Sequence, residues 1–138
     1  SNIHPLTHYP HNTRNHSTNT LVAYYAVSVY NTGMIFVELP LFQKHIAFTD
    51  EELRIIQNDI VVNPDCGAVI SGSGGLRKLR AGFEGRGKRG GARVIYYVQV
   101  SLSVCYLLLA YPKNVQENLT PNQARQLKQL LDEVINNG

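Results

Sequence analysis

Cysteines are few in this chain, and nucleotide-binding signatures are missing. Its 138 residues include two cysteines, Cys66 and Cys105, whose separation does not match the spacing of metal ligands. A domain of this length can bury a core without a disulfide, so we expect reduced thiols in a cytoplasmic protein. No G-x-x-x-x-G-K-S/T pattern is present, and the glycine run Gly72–Gly75 precedes a predicted strand instead of a helix, which argues against an NTPase.

Long apolar runs are also missing. The segment Leu21–Tyr30 is apolar and aromatic, but its ten residues are too few to span a bilayer. It is a poor match to a signal peptide, because no basic region directly precedes it and no A-x-A site follows it. We therefore expect no membrane partner. We divide the chain into an N-terminal extension at residues 1–33 and a domain at residues 34–138.

The extension begins with Ser1–Thr20, which is rich in Asn, Thr and His. Four histidines lie there, and a metal site is one interpretation of them: His4, His8, His11 and His16. A polar tail is the simpler interpretation, and we expect neither a metal nor another cofactor in this protein.

Charge is sparse but concentrated. Charged residues make up 17% of the chain and hydrophobic residues 43%, which is typical of a globular protein. Seven of the thirteen basic residues lie between Arg77 and Arg93, opposed there by Glu84 alone. This segment carries a net charge of +6, whereas the whole chain carries +3, so the remainder sums to −3. Such a polarised surface favours a polyanionic partner.

Turn chemistry predicts a hairpin near the start of the domain. Ala23–Tyr30 and Met34–Leu39 are rich in β-forming residues, and the turn residues Asn31–Gly33 lie between them. The extension can therefore add a strand to the sheet, around Leu21–Tyr30, or pair with another molecule as a homo-oligomer. Pro40–Ala47 is predicted as a short helix, because proline suits the first helical position.

Two capping boxes predict the longer helices. Thr49–Glu52 begins a helix that ends at Asn63-Pro64, and Thr120–Gln123 begins a C-terminal helix. Three strands are predicted between them: Leu76–Arg80, Ala92–Val100 and Val104–Tyr111. The predicted fold is an α+β domain with a small antiparallel sheet, on one face of which the N-terminal helices and the C-terminal helix pack.

The basic segment is suited to RNA. Side chains alternate along a strand, so Lys78 and Arg80 should share one face, with Arg77 and Leu79 on the other. The glycine-rich loop Ala81–Gly91 allows close approach of a ligand. It carries three further cations that can hold phosphates: Arg86, Lys88 and Arg89. The alternative is a solvated basic loop with no ligand.

The aromatic pair Tyr96 and Tyr97 follows Arg93. Each ring can stack on an unpaired base or can belong to the core, and the sequence leaves both alternatives open. Cleavage of RNA by its own 2′-OH needs a base, cations on the phosphate and an acid. No histidine lies near the basic segment, and Lys78 beside Arg80 is the best candidate base, because a neighbouring cation lowers the pKa of a lysine.

The chain resembles the HigB branch of the RelE-like toxins. The resemblance rests on GGLRKLR at 74–80, GRGKRGGARVIYY at 85–97, YPKN at 111–114, the earlier Asn63-Pro64, Gly67 and Val69-Ile70, and Leu119-Thr120. It covers Met34–Asn136, about three quarters of the chain. The extension at residues 1–33 has no counterpart in this pattern, and the stretch from Phe42 to Glu52 is shorter than the pattern.

The resemblance implies a microbial-RNase-like fold and a metal-independent endoribonuclease. Such toxins cut mRNA in the A site of the 70S ribosome and are neutralised by a helix-turn-helix antitoxin of the HigA type. By the resemblance, Arg93 contacts the scissile phosphate and Lys113 takes a basic position at the end of the last strand. The alternative is a non-catalytic RNA-binding protein or a degenerate toxin, because binding and cleavage of phosphates need the same residue types.

The expected catalytic residues are thus Lys78, Arg80, Arg93 and Lys113. The expected RNA-binding residues are Arg77, Arg86, Lys88, Arg89, Tyr96 and Tyr97.

Overall fold

The structure, a computed structural model, describes residues 5–15, 20–30, 33–83 and 91–137, the first two ranges by their backbone. In chain order the elements are β1 (Pro5–Asn15), β2 (Thr20–Tyr30), β3 (Ile35–Glu38), α1 (Asp50–Val62), β4 (Ala68–Val69), β5 (Arg77–Ala81), β6 (Ala92–Gln99), a 3₁₀ turn (Val100–Leu102), β7 (Val104–Pro112) and α2 (Pro121–Asn137). The α+β class is therefore as predicted.

The strands form one sheet in the order β1-β2-β3-β7-β6-β5-β4. Strands β2 and β3 pair antiparallel, as the hairpin signal predicts. The prediction of a purely antiparallel sheet was wrong, because β3 and β7 pair in parallel, Ile35 opposite Val104. Turn residues fix the direction of strands that follow one another, whereas β3 and β7 are separated by α1 and three other strands.

The two helices cover opposite faces of the sheet, not one face as predicted. Val94 and Tyr96 belong to the cluster that buries α1, whereas Ile95, between them, belongs to the cluster that buries α2. Successive side chains of a strand point to opposite faces, so an unbroken apolar run such as Val94–Tyr96 requires a cover on both sides.

The predicted helix at Pro40–Ala47 is absent from the described residues, where this stretch forms turns. Single turns are closed by Phe42 N–H to Leu39 O, at 2.9 Å, and by Lys44 N–H to Leu41 O, at 3.2 Å. The Gln43 side chain donates to Glu38 and accepts from Phe48 N–H, so it ties the stretch into a compact loop. These contacts replace the bonds of a continuing helix.

Both capping boxes are confirmed. Thr49 and Glu52 exchange side-chain to backbone hydrogen bonds at the start of α1. Thr120 and Gln123 do the same at the start of α2. The second box fixes the end of the loop between β7 and α2, and this loop contributes to the candidate site described below.

Candidate functional site

Three predicted catalytic cations meet on the sheet face that α2 covers. Lys78 and Arg80 lie on β5, with Leu79 buried on the opposite face, as the alternation predicts. Arg80 pairs with Arg93 of the neighbouring strand β6. We call Lys78, Arg80 and Arg93 the cation cluster.

Glu117, from the loop between β7 and α2, binds this cluster. Both of its carboxylate oxygens lie 3.1 Å from Arg93 Nη2, and Oε1 lies 3.7 Å from Arg80 Nη2. The Arg93 side chain is 10% exposed and the Glu117 side chain 56% exposed. A carboxylate therefore lies between solvent and a buried guanidinium, in the position that an anionic ligand of Arg93 would take.

The loop that carries Glu117 is held by further hydrogen bonds. Lys78 Nζ donates to Asn118 Oδ1 at 2.5 Å and to the Glu117 carbonyl oxygen at 3.3 Å. Tyr111 OH also donates to the Glu117 carbonyl oxygen, at 3.4 Å. Gln116 Nε2 donates to Gln123 Oε1, at 2.7 Å, which joins the loop to the capping box of α2. The carboxylate is thus placed by main-chain and helix-cap contacts.

The electrostatics of the site follow from these contacts. The hydrogen bond from Arg93 and then the charge of Arg93 hold the pKa of Glu117 below its ordinary value, with smaller help from Lys78 and Arg80. Burial raises the pKa of Tyr111, so this hydroxyl stays protonated and can donate. At neutral pH the site therefore holds a carboxylate that can accept protons and several groups that donate hydrogen bonds.

Lys113 lies at the end of β7, close to the start of β6. Its N–H donates to the Gly91 carbonyl oxygen at 3.2 Å. Its side chain runs over Gly91, where an added Cβ would lie 3.2 Å from Lys113 Cδ. Within the described residues the contacts of Lys113 are to the strand ends, and the structure does not bring it into the Glu117 contacts.

Arg77 has different surroundings from the cation cluster. It points to the α1 side, where Nη1 donates to the Gly67 carbonyl oxygen at 2.7 Å and Nη2 lies 3.1 Å from the Asp65 carboxylate. These bonds tie the loop after α1 to β5. The contacts give Arg77 a structural role that its position in the basic segment does not reveal.

Tyr96 and Tyr97 lie in different surroundings. Tyr96 is fully buried, donates to the Pro64 carbonyl oxygen at 2.8 Å and accepts from Gly67 N–H at 2.9 Å. The sequence left open whether the Tyr96 ring stacks on a base or belongs to the core, and in the structure it belongs to the core. Tyr97 is half-buried on the α2 side, with Lys128 Nζ 6.0 Å from its ring centroid. The loop cations Arg86, Lys88 and Arg89 lie outside the described residues.

Two cavities flank the Glu117 loop. One, of about 370 Å³, is lined by Lys78 and Asn118 together with Ala68, Val69, Ile70, Ser71 and Leu119. The other, of about 320 Å³, is lined by Tyr111, Gln116 and His45 among others. His45, which the sequence places far from the basic segment, thus lines a cavity that residues of the same loop also line.

Sequence reasoning missed Glu117, Asn118 and Tyr111. Glu117 is separated from Arg93 by a whole strand, so no local spacing joins the two. One signal was present, because Glu117 is the only acid between Glu84 and Asp132. A lone carboxylate that follows a basic segment and directly precedes a helix cap is a reasonable candidate partner for that segment.

The described residues contain no group of three or more His, Cys, Asp or Glu side chains placed to hold a metal ion. None of the helices described is long and apolar enough to cross a membrane. A scan against models of known protein families finds no match to this chain.

Proposed function

We propose that this protein is a ribosome-dependent endoribonuclease of the RelE/HigB type, the toxin of a type II toxin–antitoxin system. The observation that carries the proposal is the cation cluster, in which Arg80 and Arg93 together bind a single carboxylate and Lys78 lies beside it. Forked guanidinium groups suit phosphate oxygens as well as carboxylate oxygens. The resemblance of the basic segment to the HigB branch supplies the choice of RNA.

The proposed reaction is attack of an RNA 2′-OH on the adjacent phosphate. Arg93 and Arg80 would bind the crowded phosphate, whose charge grows in the transition state. Lys78 would add charge beside them, and Lys113 would contact the flanking backbone at the strand ends. Messenger RNA in the ribosomal A site is the proposed substrate, and a HigA-like helix-turn-helix antitoxin is the proposed inhibitor.

A second candidate is a protein that binds RNA without cutting it. The contacts of Lys78 favour this alternative, because both hydrogen bonds that the structure gives its amine are donated to oxygens, as in the binding of an anion. Binding alone would use the same three cations, so the two candidates differ in the fate of the RNA and not in its position.

Expression in growing cells tests the proposal. The wild-type chain should arrest growth and shorten messages, and Lys78→Ala and Arg93→Ala should each abolish both effects. Arg54→Ala, an exposed position on α1, is the matched loss of a cation from the opposite side of the sheet and should stay toxic. Wild-type expression that leaves translation and message integrity untouched would exclude the nuclease.

A further inference from the structure

Glu117 is the one carboxylate that contacts the cation cluster within the described residues. We propose that Glu117, and not Lys78, is the general base that takes the proton from the attacking 2′-OH. This inference rests on the proposed endoribonuclease function and adds a catalytic residue to it.

The first reason is the direction of the hydrogen bonds. A general base needs a free lone pair directed at the proton it removes. Lys78 Nζ donates to Asn118 Oδ1 and to the Glu117 carbonyl oxygen, so both hydrogen bonds that the structure gives it are donor contacts within the protein. The Glu117 carboxylate has only acceptor atoms, and it is the anionic acceptor that contacts the cluster.

The second reason is the distance between the carboxylate and the guanidinium groups. In this reaction the 2′-oxygen attacks the phosphorus whose other oxygens the arginines bind, so the base and the phosphate-binding cation must be neighbours. A base works within about 3 Å of the proton-bearing oxygen. The Glu117 oxygens lie 3.1 Å from Arg93 Nη2, so when a phosphate takes their place on Arg93, a rotation of the exposed Glu117 side chain leaves them beside it.

The third reason is access. The Glu117 side chain is more than half exposed, whereas Arg93 is buried behind it, so a nucleotide approaching Arg93 meets the carboxylate first. Because the arginines hold the pKa of Glu117 low, the carboxylate is charged and able to accept a proton in the free protein. When a phosphate binds to the same arginines, their pull on Glu117 weakens and its basicity rises.

The proposed step balances. The O2′–P bond forms and the P–O5′ bond breaks, while the 2′-OH proton passes to a Glu117 oxygen. The leaving 5′-oxygen takes a proton from solvent, and Glu117 later returns its proton to solvent. The products are a 2′,3′-cyclic phosphate end and a 5′-hydroxyl end, with no net consumption of water and no change in oxidation state.

The test measures cleavage and binding separately in the full chain. Single-turnover cleavage of ribosome-bound mRNA is followed across pH for the wild type, Glu117→Gln and Glu117→Asp. Binding is measured with an RNA oligonucleotide carrying 2′-O-methyl groups, which cannot react. Glu133→Gln removes a carboxylate from an exposed position on α2 and is the matched control.

We expect Glu117→Gln to lower the cleavage rate by about 100-fold or more, the usual contribution of a general base, and to lose the acidic limb of the pH profile. It should bind the methylated RNA at least as tightly as the wild type, and Glu117→Asp should recover part of the rate. Glu133→Gln should resemble the wild type in both measurements.

Two results would refute the proposed role of Glu117 and leave the proposed endoribonuclease function standing. One is a Glu117→Gln protein that cleaves at the wild-type rate. The other is a variant whose binding falls in parallel with its rate, since that would make Glu117 a positioning residue for Arg93. A wild-type chain that cleaves no message is a different result, because it refutes the proposed function itself.

Discussion

At the scale of single residues, the ion pair between Glu117 and Arg93 makes stability depend on pH. The pKa of Glu117 is lowered in the folded protein from its ordinary value of 4.5. Its contribution to stability is therefore fully present above the unfolded pKa and is lost as the pH falls through the lower folded pKa. Above that window the wild type should be more stable than Glu117→Gln.

Urea unfolding of both proteins from about pH 6 to about pH 2 checks this expectation. The difference between them should shrink as the pH falls and vanish at the acidic end. Glu133→Gln controls for the loss of one carboxylate outside the cluster. A difference between the wild type and Glu117→Gln that stays constant over the whole range would show that Arg93 does not stabilise the charged carboxylate.

The buried hydroxyl of Tyr96 should also contribute to stability. This hydroxyl satisfies the Gly67 N–H and the Pro64 carbonyl oxygen, and Phe in place of Tyr96 would leave both unpaired. We expect Tyr96→Phe to lower the free energy of unfolding by about 1–3 kcal/mol. RNA affinity should be unchanged, because the ring has no exposed face. Tyr97→Phe, at the neighbouring half-buried position, is the control and should cost less stability. Weaker RNA binding by Tyr96→Phe at full stability would contradict the core role.

The residues that the sequence predicts and those that it misses differ in how local their signals are. Lys78 and Arg80 share a strand face by simple alternation, so their juxtaposition could be predicted. Arg93 was placed by resemblance, and the pairing of β5 with β6 brings it to Arg80. Glu117 contacts the cluster only because the sheet and the cap of α2 bring its loop there, and a sequence pattern does not show this arrangement.

At the scale of elements, the same contrast holds. Both long helices could be predicted because a capping box is a local feature of the sequence. Strand β4 was missed because it has only two residues, Ala68 and Val69, and both are exposed. Only its pairing with β5 makes it a strand. The parallel pair of β3 and β7 was missed for a related reason, since its partners lie far apart in the chain.

The two capping boxes offer a matched pair of variants. Thr49→Ala and Thr120→Ala each remove a side-chain acceptor at a helix start, and each should cost about 1 kcal/mol of stability. Only Thr120 adjoins the loop that holds Glu117, through the bonds of Gln123 and Gln116. Unfolding and single-turnover cleavage are measured together, and Thr120→Ala alone should also slow cleavage. Equal cleavage by the two variants would show that the cap does not position Glu117.

At the scale of the whole molecule, the sheet separates two faces of different character. The face under α1 contains the larger aromatic cluster, and Arg77 is tied there by Asp65. The face under α2 carries the cation cluster, which contacts Glu117 in the loop before that helix. A polyanion should therefore bind one side of the sheet, although the chain as a whole carries only +3.

Salt dependence tests this one-sided surface. Each cation that contacts a phosphate of single-stranded RNA contributes about 0.7 to the slope of log affinity against log salt concentration. We expect Arg80→Ala to lower the affinity for the methylated RNA and to reduce the slope by about that amount. Arg54→Ala removes the same charge from an exposed position on α1 and should leave the slope unchanged. Because the two variants have equal net charge, equal slopes would mean that the RNA responds to total charge, and the cation cluster would then not be its binding site.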